Sequence, residues 1–373
     1  MRIVVAPQEF KGSLTAIEAA RAIATGVRAA IPDADIIEVP MSDGGPGLVD
    51  AMLSARGGDR IETDVRDPLM RPVHAAWAIL AGDDAGTAAI EMAAASGLVL
   101  LRPAERNPLI ATTFGTGELV RAALDRGCTQ IIVGVGGSAS VDGGAGAMQA
   151  LGVRLLDASG TDLSPGGAAL AKLDRIDLTT RDPRLMNTRI RVASDVTSTL
   201  CGPTGAAEMF GPQKGASPED VRALEVALQH FAKIVLRDGG VDILPLPGGG
   251  AAGGLAAGLA AIGATIEPGF DIVAEATGLE ATIAAADVVI TGEGRLDAQT
   301  AYGKTASRVA TLAHKHGKRI AIIAGSVEGD ANAHRDVYDI IDVLQQPGSS
   351  VEDAIRDAKE HLVAAAERVA HRF

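Results

Sequence analysis

The chain contains few aromatic residues and few cysteines, and each scarcity excludes a class of function. Aromatic residues make up 2% of the 373 residues, so the stacking platforms on which proteins bind single-stranded nucleic acid are missing. The two cysteines, Cys128 and Cys201, lack CxxC spacing. They fit neither a disulfide framework nor a zinc site, and they suit a reducing compartment.

Net positive charge and a strongly apolar run of membrane-spanning length are missing as well. The formal net charge is −13, which argues against nucleic acids and anionic membranes because both are bound through clustered Lys and Arg. The apolar run at the start is too short for the core of a signal peptide, and the uncharged stretch 246–266 is mostly Ala and Gly. We therefore expect a cytoplasmic protein with neither nucleic acid nor membrane as a partner; its oligomeric state is left open.

The residues that are abundant indicate an α/β protein. Hydrophobic residues make up 47% of the chain and glycine contributes 45 residues. Short β-branched runs, each followed by a loop and a helical pattern, occur at residues 3–5, 131–133, 288–290 and 320–323. Continuous apolar runs of this kind are typical of parallel strands that are covered on both faces.

The length predicts two domains. Residues 1–62, 107–151 and 281–373 are expected to form a discontinuous Rossmann-like domain with a parallel sheet. Residues 63–106 and 152–280 are expected to form a second, inserted α/β domain, with a cleft between the two. A helix over 15–31 should begin with a capping box made by Thr15 and Glu18, and the segment 65–92 should contain an antiparallel pair of strands.

One glycine-rich motif suggests a dinucleotide. The residues 134–139, GVGGSA, follow a predicted strand and match GxGxxA, and Asp157 stands about 20 residues further on. This is the basis of an alternative function, an NAD-dependent oxidoreductase acting on a small hydroxy acid. However, Gly143, Gly144 and Gly146 extend the loop where a helix should begin. A longer glycine loop that offers backbone N–H groups to a phosphate explains the residues equally well.

A second motif resembles a P-loop but departs from it. In residues 298–305, AQTAYGKT, Ala298 stands where the first glycine of a P-loop belongs. Lys304 could still lie near an anion at the start of a helix. A solvated lysine at a helix start is the competing interpretation.

The stronger signal is a set of separate polar and glycine-rich loops, several of which follow predicted strands. Each loop alone also fits an ordinary turn or helix cap. Together they supply what phosphoryl transfer requires: N–H groups for phosphate oxygens, cations for developing charge, and carboxylates for Mg²⁺ and for the attacking hydroxyl. No Ser-His-Asp triad or HExxH motif stands out. The loops carry Lys11 and Ser13, Asp43 and Gly44, Asp195, Lys214, and Glu293, Arg295 and Asp297.

These stretches, in this order, resemble the type I glycerate kinase family. The resemblance covers residues 2 to 304 and implies transfer of a phosphoryl group from Mg-ATP to D-glycerate, usually giving 2-phosphoglycerate, on a two-domain fold with a cleft. A non-enzymatic binding protein for a small hydroxy acid is a further alternative. The matching blocks are APQEFKGSLTA, PMSDGGPG, RDPLMRPV, IEMAAASGL, GTGELVRAAL, VGGSASVDGGAGAMQALG, ASDVTSTLCGPTGAAEMFGPQKGA, PGGGAAGGLAAGLAAIGA and ITGEGRLDAQTAYGK.

The resemblance implies most residues of the site, and the carboxylates and cations that share the glycine loops indicate their roles; Arg295 is expected from its loop alone. We expect Asp195 to accept the proton of the glycerate hydroxyl, and Lys11 and Lys214 to neutralise charge on the phosphate or on the substrate carboxylate. Glu293 and Asp297 are the expected Mg²⁺ ligands, with Asp43 as a competitor. The expected substrate- or nucleotide-binding residues are Ser13, Asp43, Gly44, Gly136, Gly137, Ser138, Asp142, Arg295 and Lys304.

The chain also departs from the family pattern. Gln8 and Glu9 replace the Asp-Ser that is usual in the first block, and Val141 stands where Asn is common. Ser198 and Thr199 replace the usual Asn-Pro. Because Val141 and Ser198 stand where the family usually has Asn, a contact between an Asn side-chain amide and a ligand is not expected at these two positions.

Overall fold

The structure is a computed structural model that describes residues 1–82, 86–297, 304–344 and 355–373. The strands are β1 (Arg2–Val5), β2 (Asp35–Glu38), β3 (Gly58–Arg66), β4 (Pro72–Leu80), β5 (Thr87–Glu91), β6 (Gln130–Gly134), β7 (Arg154–Leu156), β8 (Arg175–Asp177), β9 (Arg189–Ala193), β10 (Thr265–Glu267), β11 (Val288–Leu296), β12 (Arg319–Val327) and β13 (Ile340–Val343). The α-helices are α1 (Ala16–Ala30), α2 (Leu48–Arg56), α3 (Ala93–Ser96), α4 (Phe114–Asp125), α5 (Ala145–Ala150), α6 (Ala206–Phe210), α7 (Pro218–Gly239), α8 (Leu255–Ala261), α9 (Gly269–Thr277), α10 (Leu279–Ala284), α11 (Thr305–Lys315) and α12 (Ala358–Ala370).

The chain divides into two compact units. The first unit consists of Met1–Asp43, Asp50–Arg56 and Phe270–Phe373. The second unit consists of Gly44–Val49 and Gly57–Gly269. The chain therefore passes from one unit to the other between Asp43 and Gly44, two residues that were both expected to bind a ligand.

The first unit is built on a parallel sheet with the strand order β13-β12-β11-β1-β2. The inner strands are buried because β-branched residues fill both faces, as the sequence predicted. Helix α1 begins at the expected capping box, in which Thr15 and Glu18 exchange hydrogen bonds. It packs so closely on α12 that a Cβ at Gly26 would lie 2.1 Å from the carbonyl oxygen of Val363.

The second unit is built on a mixed sheet with the strand order β10-β9-β6-β5-β4-β3. Strands β10, β9, β6 and β5 are parallel to one another, whereas β4 is antiparallel to both β5 and β3. The antiparallel pair expected within 65–92 is therefore confirmed; residues 83–85 of its turn lie outside the described residues. The buried Trp77 on β4 donates its indole N–H to Thr63 Oγ1 on β3 at 2.9 Å.

The α/β class with parallel sheets is confirmed, but one expected domain assignment needs correction. Residues 107–151 were expected to join the two ends of the chain, yet they lie in the second unit. The reason is that β6 pairs with β5 and β9 rather than with any strand of the first sheet. The expected cleft stays a prediction. Within the described ranges, no helix combines the length and the apolar character needed to cross a membrane.

Candidate active site

In the first unit, the predicted site residues gather at one edge of the sheet. Strands β1, β2 and β11 are parallel neighbours, so the loops that follow them leave from the same edge, where open α/β sheets bind ligands. The loop after β1 lies against β11, since a Cβ at Gly294 would be 3.1 Å from the backbone nitrogen of Lys11. The exposed Lys11 is thereby brought next to the segment that carries Glu293 and Arg295.

The loops after β1 and β2 contact each other through side chains. Gln8 Nε2 donates a hydrogen bond to Asp43 Oδ2 at 2.8 Å. Burial raises the pKa of Glu9, the negative charge of Asp43 raises it further, and Lys11 opposes both effects. These four residues therefore lie close enough to influence one another. Gln8 and Glu9 were noted in the sequence only as departures from the family pattern.

Ser13 lies in the turn that leads into α1. Its hydroxyl donates to the carbonyl oxygen of Phe10 at 2.9 Å, and the backbone N–H of Ser13 bonds to the same oxygen at 2.8 Å. Both bonds tie Ser13 to the turn, so its hydroxyl has a local structural partner.

The end of β11 carries the expected metal ligands. Glu293 is buried. Burial raises the pKa of Tyr338, and the nearby charge of Glu293 raises it further. Both carboxylate oxygens of Asp297 accept hydrogen bonds from Lys304 Nζ at 2.9 Å, so the lysine of the P-loop-like motif neutralises one expected ligand. Residues 298–303 of that motif lie outside the described residues. Arg295 is exposed and pairs with Glu328 at 2.6 Å.

In the second unit, the segment that begins at Gly44 lies against the ends of β6 and β9. A Cβ at Gly44 would lie 2.5 Å from the carbonyl oxygen of Ala193, and a Cβ at Gly136 would lie 2.6 Å from the Cα of Gly45. Glycine is required at Gly44 for a second reason, because its φ is +92°. The glycines expected to bind phosphate are thus packed together within this unit.

Glu91, at the end of β5, contacts the segment that follows Gly44, and no sequence motif indicated this residue. Its Oε1 accepts the backbone N–H groups of Gly47 and Val49, at 3.1 and 2.9 Å. These N–H groups lie at the start of α2, one just before the helix and one in its first turn, where a carboxylate is favoured. A glutamate at a strand end gives no sign of this contact in the sequence.

Asp142 is fully buried and stabilises the loop after β6 through hydrogen bonds to its carboxylate. Its carboxylate accepts hydrogen bonds from the backbone N–H groups of Thr113, Gly144 and Gly146 and from the Thr113 hydroxyl. The hydroxyl of Thr112 donates a further bond at 3.2 Å. Asp142 therefore fixes the shape of the loop, and it reaches a ligand only by giving up these bonds.

Lys214, which was expected to neutralise charge on the phosphate or on the substrate carboxylate, points into this loop instead. The side chain is buried. Its Nζ donates to the carbonyl oxygen of Ser140 at 2.6 Å and to Ser138 Oγ at 2.7 Å. Burial lowers the pKa of Lys214 to about 7, against the opposing effect of Asp142.

Asp195 follows β9 and is exposed. One carboxylate oxygen accepts the backbone N–H of Gly269 at 2.8 Å, at the start of α9. The bond fixes the carboxylate of Asp195 at the carboxyl end of the second sheet. Asp195 follows β9, which lies beside β6, and β6 leads into the loop that carries Ser138.

The NAD-dependent alternative finds no support in the loop geometry. Helix α5 begins at Ala145, several residues after the GVGGSA motif, whereas dinucleotide binding places the helix N-terminus at the motif. Asp157, the expected ribose ligand, accepts the backbone N–H groups of Ser159 and Thr161 in an exposed turn.

Comparison with known proteins decides the family. The model of the glycerate kinase family matches residues 3–373. This chain belongs to the glycerate kinase family. It is therefore an ATP-dependent kinase that acts on a small molecule, and the oxidoreductase alternative is not supported.

Two curated glycerate kinases and one solved structure support this assignment over nearly the whole chain. Glycerate 2-kinase of Escherichia coli (strain K12) is 44% identical, with 99% of this chain and 97% of that protein covered. Glycerate kinase of Bacillus subtilis (strain 168) is 45% identical with the same coverage. The crystal structure of a protein assigned as glycerate kinase 2 from Salmonella typhimurium LT2 has a TM-score of 0.89 and is 46% identical, with 100% of this chain and 98% of that chain covered.

Proposed function

We propose that this protein transfers the γ-phosphoryl group of ATP to the 2-hydroxyl of D-glycerate. The observation that carries the proposal is the meeting of Lys11, Asp43 and the segment of Glu293 at one edge of a parallel sheet. A cation and carboxylates at such an edge suit a triphosphate and a divalent cation. The name of the E. coli relative, glycerate 2-kinase, supports the choice of substrate and of hydroxyl.

The first unit supplies the charges in this proposal. Lys11 is exposed and neutralises developing charge on the phosphoryl group. Asp43, Glu293 and Asp297 are the candidates for holding Mg²⁺, which proteins bind with one or two carboxylates plus substrate phosphates. When bound, Mg²⁺ would neutralise charge on the phosphate oxygens. The bonds between Asp297 and Lys304 make Asp297 the weakest of the three candidates.

The second unit supplies the glycine loop and the proton acceptor. Gly44, Gly136 and Gly137 are the residues whose backbone N–H groups would bind anionic oxygens. The neighbouring backbone leaves no room for a Cβ at Gly44 or Gly136, and Gly137 has a φ of +74°, which favours glycine. Asp195 accepts the proton of the glycerate hydroxyl as that oxygen attacks the γ-phosphorus. Asp142 acts indirectly, because it holds the loop that carries Ser138.

An assay of ADP release tests the proposal. We expect turnover with D-glycerate and Mg-ATP, much slower turnover with L-glycerate, and none without an acceptor. Asp195→Asn removes the proton acceptor and should lower kcat by roughly 100-fold with little change in KM for ATP. Asp157→Asn is the matched control, because Asp157 is an exposed carboxylate that holds a turn in the same unit.

The assay also has outcomes that contradict the proposal. Absence of turnover with D-glycerate removes the substrate assignment. A near-wild-type kcat for Asp195→Asn removes the base assignment, and a loss confined to ATP affinity would move Asp195 to the metal site.

A further inference from the structure

We propose that Ser138 and Lys214 form a serine–lysine nucleophilic pair, which makes Ser138 a site of covalent modification by activated acyl esters. Serine–lysine pairs serve as nucleophile and base on several unrelated folds. The inference concerns chemistry that uses neither ATP nor glycerate, so it stands apart from the proposed kinase activity.

The pair has the geometry that nucleophilic activation requires. Lys214 Nζ lies 2.7 Å from Ser138 Oγ, within hydrogen-bond reach of the proton that it would accept. The carbonyl oxygen of Ser140, 2.6 Å from the same nitrogen, can only accept a hydrogen bond. It therefore engages one N–H of Lys214 and orients the amine toward Ser138.

The backbone around Ser138 is fixed on both sides. The carbonyl oxygen of Gly137 accepts the N–H of Leu98 at 2.8 Å, and the N–H of Ala139 donates to the carbonyl oxygen of Ser96 at 3.0 Å. Ser138 keeps 8% of its surface exposed, whereas Lys214 keeps 1%. Both residues are buried, and Ser138 is the less completely buried member of the pair.

The surroundings of Lys214 favour a neutral amine near neutral pH. Complete removal from water disfavours the charged form and lowers the pKa of Lys214 to about 7. Asp142, on the facing loop, is the charged group that opposes this effect. Arg106 packs through its backbone and Cβ against Gly215, the residue next to Lys214. A lysine that has lost its proton can act as a base.

The reaction with an activated ester balances within the pair. The oxygen of Ser138 attacks the carbonyl carbon of the ester, and the proton of the hydroxyl passes to the lone pair of Lys214 Nζ. The bond from the carbonyl carbon to the leaving aryl oxide then breaks, which leaves an acyl ester on Ser138. The aryl oxide carries away the negative charge and Lys214 holds the proton.

The test is to incubate the full-length protein with p-nitrophenyl acetate, without ATP or glycerate, and to follow release of p-nitrophenolate. Peptide mass spectrometry then locates the acetyl group. We expect acetylation of Ser138 with a rate that rises as the pH passes through about 7. The rate should fall by roughly 100-fold in Lys214→Met, a typical effect of losing a general base. Ser138→Ala should abolish the label at this position.

Two controls separate activation from general reactivity. Ser140→Ala keeps the carbonyl oxygen that binds Lys214 and should leave the rate unchanged. Ser159, on an exposed turn, reports the reactivity of an ordinary serine. The pH profile of the wild-type protein needs no variant, so it remains informative even if Lys214→Met does not fold. The proposal is overturned if Ser138 is labelled no faster than Ser159, if its rate has no rise near pH 7, or if folded Lys214→Met is labelled at the wild-type rate.

Discussion

Lys214 should make the stability of the second unit rise with pH. Its pKa in the folded protein is about 7, well below the ordinary value of 10.5. Between these two values the unfolded chain binds more protons than the folded protein, so the free energy of unfolding increases with pH. Integrating the difference in bound protons between about pH 7 and about pH 8.5 gives a gain of about 1 to 2 kcal/mol. Below about pH 7 both states hold the proton and the full cost of burying the charge is present.

Urea unfolding followed by tryptophan fluorescence measures this effect. The single tryptophan of the chain, Trp77, is buried in the second unit, which also contains Lys214. The free energy of unfolding is compared at the two pH values for the wild-type protein and for Lys214→Met, because the other titrating groups cancel in the difference. We expect the gain in the wild-type protein alone. Equal pH dependence in both proteins, or a relative loss of wild-type stability as the pH rises, would refute a buried amine of lowered pKa.

Two further predictions concern the residues that hold the site. Asp142→Asn should lower the free energy of unfolding by about 3 kcal/mol, because the amide cannot accept all the bonds that the buried carboxylate accepts; a loss below about 0.5 kcal/mol in the same fluorescence assay would contradict its role as the loop anchor. Lys11→Met should lower kcat/KM for ATP by roughly 100-fold. Its thermal unfolding should stay unchanged because the side chain is exposed, and wild-type kinetics would remove Lys11 from the site.

The parts of the fold that depend on local patterns could be predicted from the sequence. The capping box of Thr15 and Glu18 depends on residues three apart, and it forms as expected. The buried parallel strands could be predicted because their apolar runs are continuous. The sheet to which β6 belongs could not, since a run buried on both faces gives no information on which strands lie beside it.

The candidate site was predictable as a set of residues but not as a set of contacts. The sequence placed Lys214 between glycines, which is also the pattern of an exposed turn, and nothing local indicates that its amine turns inward to Ser138. Asp142 was expected to bind a ligand because the resemblance to the family implies it. The threonines that surround its carboxylate lie about 30 positions away in the sequence, a separation that local patterns do not bridge.

The most direct test of the proposed activity is phosphorus NMR of the product formed from D-glycerate and Mg-ATP. A phosphate on the 2-hydroxyl is attached to a carbon that carries one proton, so its signal should split into a doublet. A triplet would place the phosphate on the 3-hydroxyl, whose carbon carries two protons, and would contradict the assigned position. Unchanged ATP with no phosphate ester would contradict the assignment of this protein as a glycerate kinase.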